Sequence, residues 1–205
     1  MSQTKERILL AALSLFACDG YEAVSVRQIA SALGMTKGAL YRHYTSKQDI
    51  FDHILLRMEQ RDAENAAAFS LPEGTLKEMP EQYHASSLAQ LIAYSKAQFR
   101  YWTEDDFAAS FRRMLTLEQY RSEKMSKLYR QYLSSGPVGY VTDLLDSLKI
   151  PQPHLAATRL YAPMFLFYTL YDHADDKASV LRALDVTLDT IQEELLSFCK
   201  PLSQS

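Results

Sequence analysis

Residues 25–47 read Ser-Val-Arg-Gln-Ile-Ala-Ser-Ala-Leu-Gly-Met-Thr-Lys-Gly-Ala-Leu-Tyr-Arg-His-Tyr-Thr-Ser-Lys, and the rest of the chain is best read outward from them. Ser25 stands three residues before Gln28, the spacing of a capping box at a helix start. Val26, Ile29, Ala30 and Leu33 then recur at i, i+3, i+4 and i+7, one apolar stripe of a short helix. Gly34 supplies the left-handed residue that ends it. Thr36 can cap a second short helix from Lys37 to about Tyr44, with Leu40 and Tyr44 facing inward. Helices this short do not hold in water alone, because nucleation is costly below roughly 12–15 residues. They must be packed, and joined through a glycine they read as a helix-turn-helix.

The outward face of the second helix carries Lys37, Gly38, Tyr41 and Arg42, with His43 and Lys47 at its C-terminal edge, and no acidic residue occurs between Gln28 and Gln48. A glycine inside a helix costs ~1 kcal/mol relative to alanine, so Gly38 suggests close approach of another surface. A DNA major groove accepts such a helix, its first residues near base edges and its hydroxyl and cationic groups on phosphates. A solvated helical hairpin with an ordinary basic face is the alternative.

The stretch 36–50, Thr-Lys-Gly-Ala-Leu-Tyr-Arg-His-Tyr-Thr-Ser-Lys-Gln-Asp-Ile, resembles the signature of TetR-family (tetracycline-repressor-like) transcriptional regulators. Gly20-Tyr21, Val24 to Ala30 and Leu33-Gly34 resemble the same pattern upstream. The likeness runs over about residues 5–55; beyond it only length and all-helical pattern agree. It implies an all-α fold with a three-helix head at 1–50, a connecting helix at about 46–69 and a ligand-binding and dimerisation body at 51–205. Carried over position by position, it implies that Ser25 offers a hydroxyl or amide to a phosphate and that Arg27 reaches a base edge or phosphate. Thr36, Lys37 and Gly38 become the base-reading residues, while Tyr41, His43 and Lys47 hold the backbone. Arg42 stands where the family often has an aromatic or a polar residue, so no contact is assigned to it. The implied partners are double-stranded DNA with a palindromic operator, a small-molecule effector of amphipathic or aromatic character, and a second copy of the chain met through the last two helices.

Composition agrees with this division. The chain has 205 residues, is 47% hydrophobic and carries a net charge of −3. Residues 1–50 hold six Lys/Arg against four Asp/Glu, and the remainder sixteen against twenty-one. That asymmetry has the sign of a DNA-reading head on an acidic body. The N-terminus shows no apolar signal region, and the strongly apolar run 160–171 is far short of the ~20 residues of a membrane span. Cys18 and Cys199 have no neighbouring Cys or His to make a metal site. A cytoplasmic, reduced protein without membrane, metal or cofactor is expected.

Beyond the head the periodicity predicts a first helix from after Thr4 to about Asp19, a fourth from Ser46, and a break at 70–80. Patterns at 81–103, 104–116 and 122–134 follow, then an interruption at Ser-Gly-Pro-Val-Gly (135–139) and a short helix at 140–149. Two long helices close the chain, about 154–172 and 176–198, the first apolar nearly all round and holding Pro163. No stretch alternates with period two, so no sheet is expected. For the effector, Tyr94, Trp102, Tyr132 and Tyr168 are the candidate lining residues, since a buried hydroxyl or indole nitrogen needs a partner. Glu81-x-x-His84 lacks the second copy that a di-iron bundle needs, and Asp172–Asp176 reads as a turn that caps the last helix. No phosphate loop or nucleophile elbow appears, so no enzyme is read. A helical-bundle carrier or enzyme with a purely structural N-terminal hairpin, and a DNA-binding protein without an effector, are the competing readings.

Overall fold

The structure, a computed structural model, describes residues 2–72 and 74–198; Cys199 lies outside them. Among these residues the chain is built of α-helices alone: α1 Gln3–Asp19, α2 Val26–Ala32, α3 Lys37–Tyr41, α4 Lys47–Ala68, α5 Pro80–Ala85, α6 Leu88–Glu104, α7 Asp106–Glu118, α8 Glu123–Leu133, α9 Ser135–Ser147, α10 Pro153–His173 and α11 Lys177–Phe198. They divide into two compact units. The first takes the chain up to Asp62 and adds Glu104–Tyr129; the second takes Ala63–Thr103 and the chain from Arg130.

In the first unit, α1 begins two residues ahead of the sequence reading, because Ser2 caps it by accepting from the Lys5 amide at 3.3 Å. Its stripe of Ile8, Leu9, Ala12, Leu13 and Phe16 is buried, together with Ile29, Ala30, Leu40, Tyr44, Ile50, Phe51, Ile54 and Met58. α1 packs on α2, and so supports the helix-turn-helix, and also along α7, which buries Phe107, Phe111, Met114 and Leu115. Glu118 at the end of α7 is fully buried, and a Cβ on Gly20 would stand 2.3 Å from its Oε1. The φ of 87° requires glycine at position 20, and the buried carboxylate fills the space a side chain would take.

In the second unit α10 packs between α9 and α11. Phe99 on α6 is fully buried, its ring stacked on Tyr168 at 4.9 Å with Phe167 and Tyr171 edge-on. On the same helix Arg100 makes a bidentate pair with Asp185, and Lys96 reaches Asp189 at 2.6 Å. Pro163 sits inside α10 without ending it.

α3 ends at Tyr41 rather than about Tyr44, and two larger differences from the sequence reading lie in the second unit. The pattern at 81–103 is broken at Ser86-Ser87, where Ser87 and Gln90 form a second capping box: the Ser87 amide donates to Oε1 of Gln90 at 2.8 Å, and the Gln90 amide to Oγ of Ser87 at 3.2 Å. Residues 135–139 do not interrupt the helix but begin α9. Pro137 falls in its first turn, where an N–H has no intrahelical acceptor, so the ring costs no ladder bond. The turn from α8 is compressed to Ser134, and a Cβ on Gly136 would lie 2.0 Å from the Gln131 carbonyl oxygen.

Candidate nucleic-acid interface

The local chemistry of the helix-turn-helix is complete. Ser25 Oγ accepts from the Gln28 amide at 3.3 Å, and Gln28 Oε1 accepts from the Ser25 amide at 2.8 Å. At the other end of α2, Gly34 has φ 65°, its amide donates to Ser31 and the Met35 amide to Ala30. These two bonds form a Schellman motif. Two residues later Thr36 Oγ1 accepts from the Ala39 amide at 3.1 Å and starts α3. Leu40 and Tyr44 are buried as expected.

This framework leaves Ser25, Arg27, Thr36, Lys37, Gly38 and Tyr41 exposed, and His43 and Lys47 half-buried. The Lys37 ammonium lies 5.5 Å from the Tyr41 ring centroid, so a cation and an amphipathic ring share one face of α3. Gly38 has no atom within 4 Å of where a Cβ would stand, and its φ is not positive. Nothing inside the protein therefore calls for glycine there.

Lys47 is placed differently from the others. Its Nζ donates to the carbonyls of Tyr21 at 2.7 Å and Glu22 at 3.3 Å and stands 4.3 Å from the Tyr21 ring centroid. In this arrangement the ammonium closes the turn between α1 and α2. The segment after α3 is closed by Asp49, whose carboxylate accepts from the Thr45 amide at 2.7 Å and is thereby held below the usual carboxylate range. Tyr44 donates its phenol to the Lys5 carbonyl at 3.2 Å, and burial, with Glu6 and Asp49 nearby, pushes that phenol up to about 12. Sequence reasoning missed Lys5: it lies 39 residues from Tyr44, and no local pattern joins them.

In the second unit the four aromatic candidates fall into three groups. Trp102 and Tyr132 are buried with ring centroids 6.4 Å apart, and Tyr168 is the ring stacked on Phe99. Tyr94 is half-buried and joins Phe69 and Tyr140, at 5.7 and 6.4 Å. Around it runs a polar chain: Gln98 Nε2 donates to the Tyr94 hydroxyl at 2.8 Å, and Asn65 Nδ2 to Gln98 Oε1 at 3.3 Å. Tyr140 and Tyr83, absent from the sequence candidates, donate to the carbonyls of Pro72 and Gly74 and fasten the segment before α5. Asp176 caps α11 through the Ser179 amide, as its sequence position suggests. Among the described residues no group of three His, Cys, Asp or Glu side chains is placed to hold a metal ion, and no helix is long and apolar enough to cross a membrane.

A capped helix-turn-helix with a basic, aromatic outer face, in a chain whose described residues form helices and no strand, defines a DNA-binding regulator architecture. Residues 8–54 match the family model described as bacterial regulatory proteins, tetR family. The HTH-type transcriptional regulator AcrR of Shigella flexneri is 42% identical over 52 residues, 25% of this chain and 24% of that protein; the match thus spans about a quarter of its length. Among solved structures, the fatty acid degradation regulator FadR from Bacillus halodurans superposes with a TM-score of 0.62 over 95% of this chain and 97% of its own, at 18% identity. SmeT of Stenotrophomonas maltophilia, solved as a complex with triclosan, gives 0.63 over 92% and 91%, also at 18% identity. At such identities the structures speak for the fold. Over residues 8–54 the chain matches the tetR family of bacterial regulatory proteins, and its fold is that of these solved regulators.

Proposed function

We propose that this protein is a ligand-responsive transcriptional regulator: a homodimer that represses from a palindromic operator and is released by a small molecule. The observation that carries the reading is Gly38, a glycine in a recognition helix with open space where its side chain would stand. Its absence of a Cβ serves an approaching surface, and the neighbouring Thr36, Lys37 and Tyr41 are the groups that read base edges and phosphates. In this proposal Ser25, Tyr41 and His43 hold the backbone, and Arg27, Thr36, Lys37 and Gly38 face the bases. Lys47 either turns from the Tyr21 and Glu22 carbonyls to a phosphate or sets the turn that presents Ser25. Functionally the head is residues 1–50 and the body 51–205.

The homodimer rests on α10 and α11. Leu155, Phe165, Leu166 and Leu170 of α10 and Val186 and Leu196 of α11 are 44–66% exposed, an apolar face unlike a solvated surface. A second copy meeting it would form a four-helix bundle. Two heads then take successive half-sites about 34–36 Å apart. An effector that prefers another spacing opposes DNA by linkage, and α4, which passes from the first unit into the second, is the connecting element. The aromatic side chains around Tyr94, Trp102, Tyr132 and Tyr168 favour an aromatic or amphipathic effector, as does the triclosan bound by the structural neighbour SmeT.

Selection of bound duplexes from a random pool, with the oligomeric state measured in the same buffer, tests the proposal. The expected result is a palindrome enriched by a dimer. No enrichment at low salt by folded protein sinks it and leaves the helix-turn-helix as scaffold for a carrier or enzyme.

A further inference from the structure

Lys5 occupies an unusual place on α1. It lies three and four residues before Ile8 and Leu9, so it continues the buried stripe of that helix, yet it carries a charge. The side chain is half-buried, with Nζ 5.3 Å from the Tyr44 ring centroid. Its aliphatic stem thus covers an aromatic ring while its ammonium emerges at the end of the helix. Tyr44 fixes the backbone there through the phenol bond to the Lys5 carbonyl. The ammonium is consequently delivered next to the residue that follows His43, at the C-terminal edge of the recognition helix.

Asp49 feels its charge, but no neighbouring carboxylate pairs with it directly. Glu6 is paired with Arg57, and Asp49 is occupied by the Thr45 amide and hydroxyl and by the His53 ring, at 3.2 Å. Among the described residues Lys5 has no carboxylate oxygen within ion-pair distance. A lysine held in place by a ring and a backbone bond, near Asp49 but in no direct ion pair, keeps its ammonium available to an anion that arrives from outside.

We infer that Lys5 is a further contact to the DNA backbone, gripping a phosphate beside those held by Tyr41 and His43 and so extending the footprint beyond the helix-turn-helix. The inference rests on the DNA-binding reading above. It gives the first turn of α1 a part in binding as well as in support, and it makes Tyr44 a positioning residue that acts through Lys5.

The test compares wild type, Lys5→Gln and Lys5→Arg on the operator recovered by selection, with affinity measured from 50 to 200 mM salt and phosphate ethylation interference mapped for each. One lost phosphate contact flattens the slope of log affinity against log salt by about 0.9, so a dimer losing two flattens by about 1.8. Lys5→Gln should therefore bind more weakly at low salt, and the gap to wild type should close about tenfold over that range. Its selected sequence should be unchanged, and one interference site per half-operator should disappear. Lys5→Arg should retain the slope and the site. An unchanged slope and interference pattern in Lys5→Gln overturns the inference, as does a Lys5→Arg protein that behaves like Lys5→Gln, which would make the role one of packing. Failure of wild type to select any duplex is a different result and removes the DNA-binding reading itself.

Discussion

The two compact units are both helical but begin and end their helices by different means. In the first, side chains a few residues away close the ends: Ser2 for α1, Ser25 for α2, Thr36 for α3, Ser46 for α4 and Asp105 for α7. Among its described residues the two positions of positive φ are glycines, Gly20 and Gly34. In the second, α5, α9 and α10 start without a side-chain cap, and the left-handed positions are Ser70, Lys149 and Gln152. A non-glycine residue there is disfavoured unless its surroundings impose it. The first unit thus writes its turns into residue types, whereas the second does so only at α6 and α11, capped by Ser87 and Asp176, and holds its other turns by rings, ion pairs and packing between distant helices.

The strongest way to break the second unit follows from that difference. Phe99→Ala would empty a fully buried site against three rings of α10, and such truncations cost about 3–5 kcal/mol. Denaturant unfolding followed by circular dichroism should show a loss of that size. A loss below about 1 kcal/mol would mean that the ring cluster is not what holds the unit. Next in size is Gly136→Ala. The added Cβ meets a backbone carbonyl, which cannot rotate aside as a side chain tip can, so about 1–3 kcal/mol of overpacking is expected. An unchanged midpoint would show that the turn between α8 and α9 has room to shift.

Caps sharpen the comparison because one occurs in each unit with the same chemistry. Ser25→Ala and Ser87→Ala each remove the hydroxyl of a Ser-x-x-Gln capping box, and each should cost about 1 kcal/mol. Measured side by side in the full chain, equal losses would show that local caps matter in both units. A silent Ser87→Ala would show that packing alone fixes the start of α6.

The same contrast explains what could be read from the sequence. Ser25, Gln28, Gly34 and Thr36 are contiguous, and each carries its geometry in its own chemistry, so α2, the turn and α3 could be placed in advance. The second capping box was as legible as the first, but it lay inside a long apolar pattern that concealed it. Pro137 looked like an interruption because a proline signals either a break or a first turn, and only the position of Ser134 decides between them. The membership of α7 in the first unit depends on packing between residues about a hundred positions apart, to which periodicity is blind. For the effector candidates, residue type marked Tyr94, Trp102, Tyr132 and Tyr168 equally. The partition of these into a stacked core ring, a buried pair and a half-exposed hydroxyl cluster is a property of the tertiary structure.

Gly38→Ala has the smallest expected effect on stability, and it separates folding from function most cleanly. The site is open, φ is not positive and the residue lies in α3. Alanine should therefore leave the melting temperature unchanged or raise stability by up to about 1 kcal/mol. If glycine is kept for the approach of a base edge, the added methyl should lower operator affinity by at least about tenfold, equivalent to roughly 1.4 kcal/mol. Against Gly136→Ala the signs are then opposite: one glycine serves the fold and its loss unfolds, the other serves a partner and its loss only unbinds. A Gly38→Ala protein that is as stable as expected and binds the operator as tightly as wild type would remove the observation on which the function is proposed.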